Sequence, residues 1–154
     1  MSENITFNLD KIYIQDASVE LSKNIEILHP LRSPQLEAKM NINVDYETIE
    51  LEEDLYRTII TINANAKIQD ESILILEVQQ AGIFTIKNIP QEQMELVLNI
   101  ECPNIVFPYV RETVSNLSTK AGFPPIVLSA INFAHIYQQK QAVQSPIINS
   151  DLVQ

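Results

Sequence analysis

Cys102 is the only thiol in a chain of 154 residues that also has just two histidines, His29 and His135, and two glycines, Gly82 and Gly122. These few residues bound the chemistry. A lone cysteine closes no intramolecular disulfide and fits a reducing, cytoplasmic setting. As a nucleophile it would need a neighbouring base or an electropositive surround. It stands before Pro103-Asn104, where a buried, inert thiol is the expectation. His29 precedes Pro30 and reads as a loop residue, while His135 reads as the surface of a helix. Two histidines leave little for a zinc site or a catalytic triad. The glycines lie too far apart for a Walker loop or a dinucleotide fingerprint. Glu52, Glu53 and Asp54 form an acidic run without the spacing or glycine of an EF-hand. No catalytic residue, metal site or cofactor is therefore expected. The residues favour a binding protein over the rival, a small catalytic domain using Cys102 or His135.

Charge narrows the partners. Twenty acids against ten bases give a net charge of −10, the opposite of a nucleic-acid footprint. It also disfavours adsorption to an anionic membrane. Such a chain favours basic partners, with an attraction that salt weakens, although solubility alone could explain the excess. The longest aliphatic run, Ile73 to Leu76, is far too short to span a bilayer, so no direct membrane insertion is expected. Met1 to Leu9 shows no basic region followed by a long apolar stretch, so no signal peptide is visible.

The elements that must position any site begin with strands. Leu36, Ala38, Met40, Ile42, Val44 and Tyr46 alternate with polar residues, and Tyr56, Thr58, Ile60, Ile62 and Ala64 do the same. In Ser72 to Ile86 both faces carry aliphatics, with Leu74, Leu76 and Val78 on one side and Ile73, Ile75 and then Glu77 on the other. That second apolar strip suggests an interaction surface. The N-terminal stretch changes phase from Phe7 and Leu9 to Ile12 and Ile14, then back at Ala17, Val19 and Leu21. A bulge or bend must absorb each slip. Ser22 to Gln35 reads as a crossing loop, and Tyr46 to Asp54, with five acids and no base, as a solvated loop. Short links predict antiparallel neighbours.

Helical signals follow. A short helix is expected over Pro90 to Ile100, with Pro90 at its first position. A longer one lies between Asn104 and Ala121, striped by Val106, Val110, Val114, Leu117 and Ala121 and capped by Gly122. Pro108 is tolerated only in its first turn. A last helix, capped by Asn132, carries Phe133, Ile136 and Tyr137. The reading is α+β, with helices on one sheet face. Residues 1–140 form the domain and 141–154 a flexible tail.

Two long strings then match a known pattern. Leu76-Glu77-Val78-Gln79-Gln80-Ala81-Gly82-Ile83-Phe84 resembles the hallmark of the SecB protein-export chaperones. Cys102-Pro103-Asn104-Ile105-Val106-Phe107-Pro108-Tyr109-Val110-Arg111-Glu112 is similar to a second family segment. Phe123-Pro124 and the run from Val127-Leu128 to Asn132-Phe133 resemble its closing motif, and Tyr13 with Asp16 fits its first strand. The likeness spans Thr6 to Gln139. It implies a four-stranded antiparallel sheet with helices on one face, assembled as a homotetramer that is a dimer of dimers. It further implies an ATP-independent holdase that binds non-native preproteins in apolar grooves and delivers them to the SecA ATPase. The implied SecA contact falls on Asp16, Glu20, Ile75 and Glu77, and the implied assembly positions are Leu76, Val78 and Gln80. Phe107, Tyr109, Phe123 and Phe133 are candidates for the preprotein groove, with core packing the competing role for each.

The chain departs from the family pattern in places. Arg32-Ser33-Pro34-Gln35 lacks the usual tryptophan, and Gln144 to Gln154 holds only Asp151 where an acidic tail is usual. Leu76 and Ala81 replace a cysteine and a glycine. These departures leave room for an alternative, a SecB-like chaperone dedicated to one client such as the antitoxin of a toxin–antitoxin module.

Overall fold

The alternating stretches become adjacent strands because period two gives each of them one face to bury. The computed structural model describes residues 4–23 and 38–143. Its strands are β1 (Thr6–Leu21), β2 (Lys39–Glu52), β3 (Leu55–Ile68) and β4 (Glu71–Lys87), followed by helices α1 (Gln91–Leu96), α2 (Cys102–Lys120) and α3 (Phe133–Val143). All neighbouring strands are antiparallel, in the order β1-β4-β3-β2. β1 and β2 therefore occupy opposite edges. The expected crossing loop between them lies mostly outside the described residues, as do His29 and the segment Arg32 to Gln35.

Both phase slips of β1 are present. Pairing with β4 shifts between Leu9 and Lys11 and again between Ile14 and Asp16, so one strand with two bulges runs the whole length. Three expectations are corrected. First, the acidic stretch from Tyr46 is not a loop: β2 continues to Glu52 and turns only at Glu53-Asp54, with Asp54 at φ 65°. An edge strand leaves its acids in water, so charge does not oppose pairing. Second, Ile73 does not share the outer face with Ile75. It sits where pairing slips between Ala66↔Leu74 and Lys67↔Ser72, and it is buried beside Leu74.

Third, the two helices expected after Pro90 form one continuous helical run, joined by a π turn at Val97–Glu101. Pro103 has no N–H to offer Asn99, so an α ladder cannot pass through it unchanged. The Cys102 N–H instead donates to the Val97 carbonyl, five residues back. Pro108 consequently lies inside α2 rather than in the first turn of a separate helix. Gly122 ends α2 as expected. At φ 87° it lets the Phe123 N–H reach the Ser118 carbonyl at 3.0 Å. Asn132 caps α3 through Oδ1, which accepts the His135 N–H at 3.1 Å. α3 runs to Val143, three residues past the expected boundary at 140.

α2 lies across β3 and β4, and its stripe of Val106, Val110 and Val114 is fully buried against Ile60, Ile62, Val78 and Phe84. The approach is close over Gly82, where an added Cβ would sit 2.8 Å from Val106 Cγ2. Nothing but glycine fits there without a shift. Gly82→Ala is expected to lower unfolding stability by about 1–3 kcal/mol. In urea melts Val106→Ala should recover part of that loss in the double variant, because it removes the clashing methyls.

Candidate functional site

Among the described residues the helices lie on one side, and none covers the other face of the sheet. Register places its side chains in rows. Glu20 stands beside Ile75 and Asn65, Ser18 beside Glu77 and Asn63, and Asp16 beside Gln79 and Thr61. Asp16, Glu20, Ile75 and Glu77 thus share the uncovered face within three successive rows. The second bulge of β1 is responsible for part of this. Without the slip after Ile14, Asp16 and Glu20 would follow Ile14 onto the helix-covered side. Ile75, 43% exposed, is an apolar centre flanked by acids.

Leu76, Val78 and Gln80 alternate with those residues and are buried beneath α2. Gln80 is the polar member, and both ends of its amide are satisfied. Its Nε2 donates to the Tyr13 carbonyl at 3.2 Å, and its Oε1 accepts from the Thr113 hydroxyl at 2.8 Å. One side chain therefore ties β4 to the bulged strand on one flank and to α2 above.

Of the four aromatics considered for a groove, three lie in the core. Phe133 stacks edge-on with Phe107 at 5.9 Å and with Tyr46 at 5.7 Å, and Phe123 is also buried. Tyr109 is exposed on the outer side of α2. Phe133 nonetheless reaches the wall of an open groove of about 380 Å³, shared with Ile100, Asn104 and Ile131.

A polar clasp around the π turn escaped the sequence reading. Thr48 donates to the Leu98 carbonyl at 2.8 Å and lies 2.8 Å from the Thr58 hydroxyl, while the Tyr46 hydroxyl donates to Asn99 Oδ1 at 3.1 Å. Lys140 of α3 reaches the same place. It lies 3.8 Å from the Tyr46 ring centroid and donates to the Tyr46 carbonyl at 2.9 Å, beside Asp45 at 3.0 Å. The signal was available, since the alternation ending in Tyr46 continues to Thr48. The five acids obscured it. Among the described residues no helix is long and apolar enough to cross a membrane.

Known proteins resemble this sequence and share this fold. The profile of the SecB family, described as preprotein translocase subunit SecB, matches residues 1–144. A protein-export protein SecB of Thiobacillus denitrificans is 45% identical over 138 residues, covering 90% of this chain and 88% of that one. The protein of the same name from Methylobacillus flagellatus is 40% identical, covering 90% and 86%. A SecB-like chaperone of Mycobacterium tuberculosis, solved in complex with an antitoxin peptide, shares the fold at a TM-score of 0.63. It is 13% identical, with 82% of this chain and 91% of that one covered.

Cys102 contacts Thr58 within the clasp. Burial pushes its thiol up to about 12; the Thr58 hydrogen bond opposes that rise and the Glu101 charge adds to it. The folded protein is expected to resist thiol-alkylating reagents at pH 8 until denaturant is added, as mass spectrometry would read. An unfolded thiol ionises near 9, so this group's contribution is full below that pH. Stability should then decline as pH rises from about 9 towards 12.

Proposed function

The chain belongs to the SecB family, and on that footing we propose that it is a cytoplasmic, ATP-independent holdase that keeps preproteins translocation-competent and passes them to SecA. The observation that carries the proposal is the division of the sheet, with one face committed to α2 and the other open and edged by Asp16, Glu20 and Glu77 around Ile75. Acids on a flat face attract a basic partner and speed its encounter, and salt weakens that attraction. Clients need a different kind of surface. An unfolded chain offers varied apolar side chains, which adaptable apolar walls hold without sequence preference. A client spread over several protomers gains affinity from effective concentration rather than from one strong site.

Assembly as a dimer of dimers accounts for features that a single chain leaves bare. β1 is a 16-residue edge strand whose Ile14, Val19 and Leu21 are 52%, 37% and 39% exposed. An open apolar edge of that length invites pairing. Leu76, Val78 and Gln80 are buried, so their role in assembly would be to hold β1 and α2 in position for a neighbouring protomer. The dedicated-client alternative is not favoured. The relatives at 40% and 45% identity are named protein-export proteins, and the likeness to the antitoxin-peptide complex extends to the fold alone.

Glu77→Lys combined with Asp16→Lys is expected to abolish SecA capture in a low-salt pull-down while unfolded-preprotein binding survives. Equal loss of both activities would refute the assignment of this face. Native mass measurement should give about 70 kDa, four times the chain's 17.5 kDa, and a strict monomer would contradict the assembly.

A further inference from the structure

The sheet has two edges, β1 and β2. β1 presents Ile14, Val19 and Leu21 to solvent along one of them. The first half of β2 is also apolar, with Met40 and Ile42 37% and 38% exposed. A sheet that pairs through both edges cannot stop. Two copies joined at β1 would each offer β2 to a further copy, and the array would grow without closing.

β2 is suited to pairing with itself. Antiparallel pairing about a two-fold axis at Ile42 sets Met40 opposite Val44, Asn41 opposite Asn43 and Lys39 opposite Asp45. Apolar residues then meet on one face, and an opposite-charge pair closes each end of the other.

Lys140 stands in the way. Tyr46 lies on the helix side of β2 and Asp45 on the open face. One ammonium group touches the Tyr46 ring and Asp45 Oδ1, so it crosses the edge between them. On the way it donates to the Tyr46 carbonyl at 2.9 Å, which is therefore directed off the edge rather than towards β3. The 2.8 Å approach of the Thr48 and Thr58 hydroxyls fits the same phase, because side chains come closest across a pair that exchanges no main-chain bonds. By that alternation Ile42 and Val44 also point their N–H and C=O outward. The Lys140–Asp45 contact is the one ion pair among the described residues. It takes the carboxylate that Lys39 of a second copy would meet. α3 holds it there lightly, since Phe133 at its start is its one buried residue and Val143 at its end is 77% exposed.

We propose that Lys140 is a strap across the β2 edge that denies it to a second copy of this chain, so that sheets join through β1 alone. The proposal rests on the assembly described above only for the part played by β1.

The test is native mass measurement of the full chain over a range of concentrations, with amide hydrogen exchange on the same samples. Lys140→Met is expected to give species of at least twice the parent mass, and to slow exchange at Ile42 and Val44 about ten-fold. Lys140→Arg keeps the cation and should stay at the parent mass. Lys39→Glu added to Lys140→Met sets carboxylates opposite each other and should return the parent mass. Asp45→Lys added to both reverses the pair and should restore the heavier species. Parent mass in Lys140→Met at every concentration would overturn the strap, whether α3 loosens or not. Association that Lys39→Glu leaves unchanged would overturn it too, as non-specific aggregation. A parent that is a strict monomer, yet doubles in Lys140→Met, would refute the β1 assembly and leave the strap standing.

Discussion

α2 rests on the sheet where β4 has no side chain. At Gly82 the helix comes close enough that a single methyl would meet Val106, and much of the remaining architecture follows from that contact. It brings Thr113 within reach of Gln80. It seats the Val106, Val110 and Val114 stripe on β3 and β4 rather than on β1. It also confines all helical cover to one side. In a chain with two glycines, one is spent on this approach and the other on ending the same helix. Both are used by the fold itself.

The run from Gln91 to Lys120 shows a second economy. Pro103 would break an α-helix at that point, yet the π turn before it carries the chain through without a loop. The Leu98 carbonyl in that turn accepts from Thr48 of β2, and the Tyr46 hydroxyl of the same strand donates to the Asn99 side chain beside it. An edge strand and a helix defect thereby satisfy each other, and Lys140 of α3 joins them through the Tyr46 ring and carbonyl. The acids of β2 face water and contribute little to this. The work is done by two hydroxyls and an amide.

What the sequence made legible followed the strength of local periodicity. β3 was readable because alternate residues from Tyr56 to Ala64 are apolar, and the kinks of β1 because its phase changes twice. The outward placement of Ile75 and Glu77 came from the same counting. Ile73 was misplaced because the register slip at Ala66 belongs to a pairing between strands, which neither strand's own pattern reveals. The acidic end of β2 reads as a loop by its charge, yet burial, not charge, decides strand continuity, and an edge strand needs little burial. Pro103 suggests a break where only the hydrogen-bond spacing changes, and Pro108 suggests a first turn where it lies inside α2. The roles of Asp16 and Glu20 came from family resemblance; their shared face required the bulge. Nothing in the sequence could show that Gln80 bridges Tyr13 and Thr113, since that depends on how neighbouring side chains lie.

β4 is a central strand that, from Leu74 onward, shows a different face at each successive residue. Its even positions from Leu74 to Ile86 lie under α2, and Ile75, Glu77 and Gln79 look the other way. The strand behaves like two messages written in alternate letters, one addressed to the protein's own interior and one to whatever lies outside. Single substitutions can edit either message alone, so the two can drift at different rates. A one-residue insertion cannot. It would transpose the two texts from that point onward, placing Glu77 in the core and Leu76 in water.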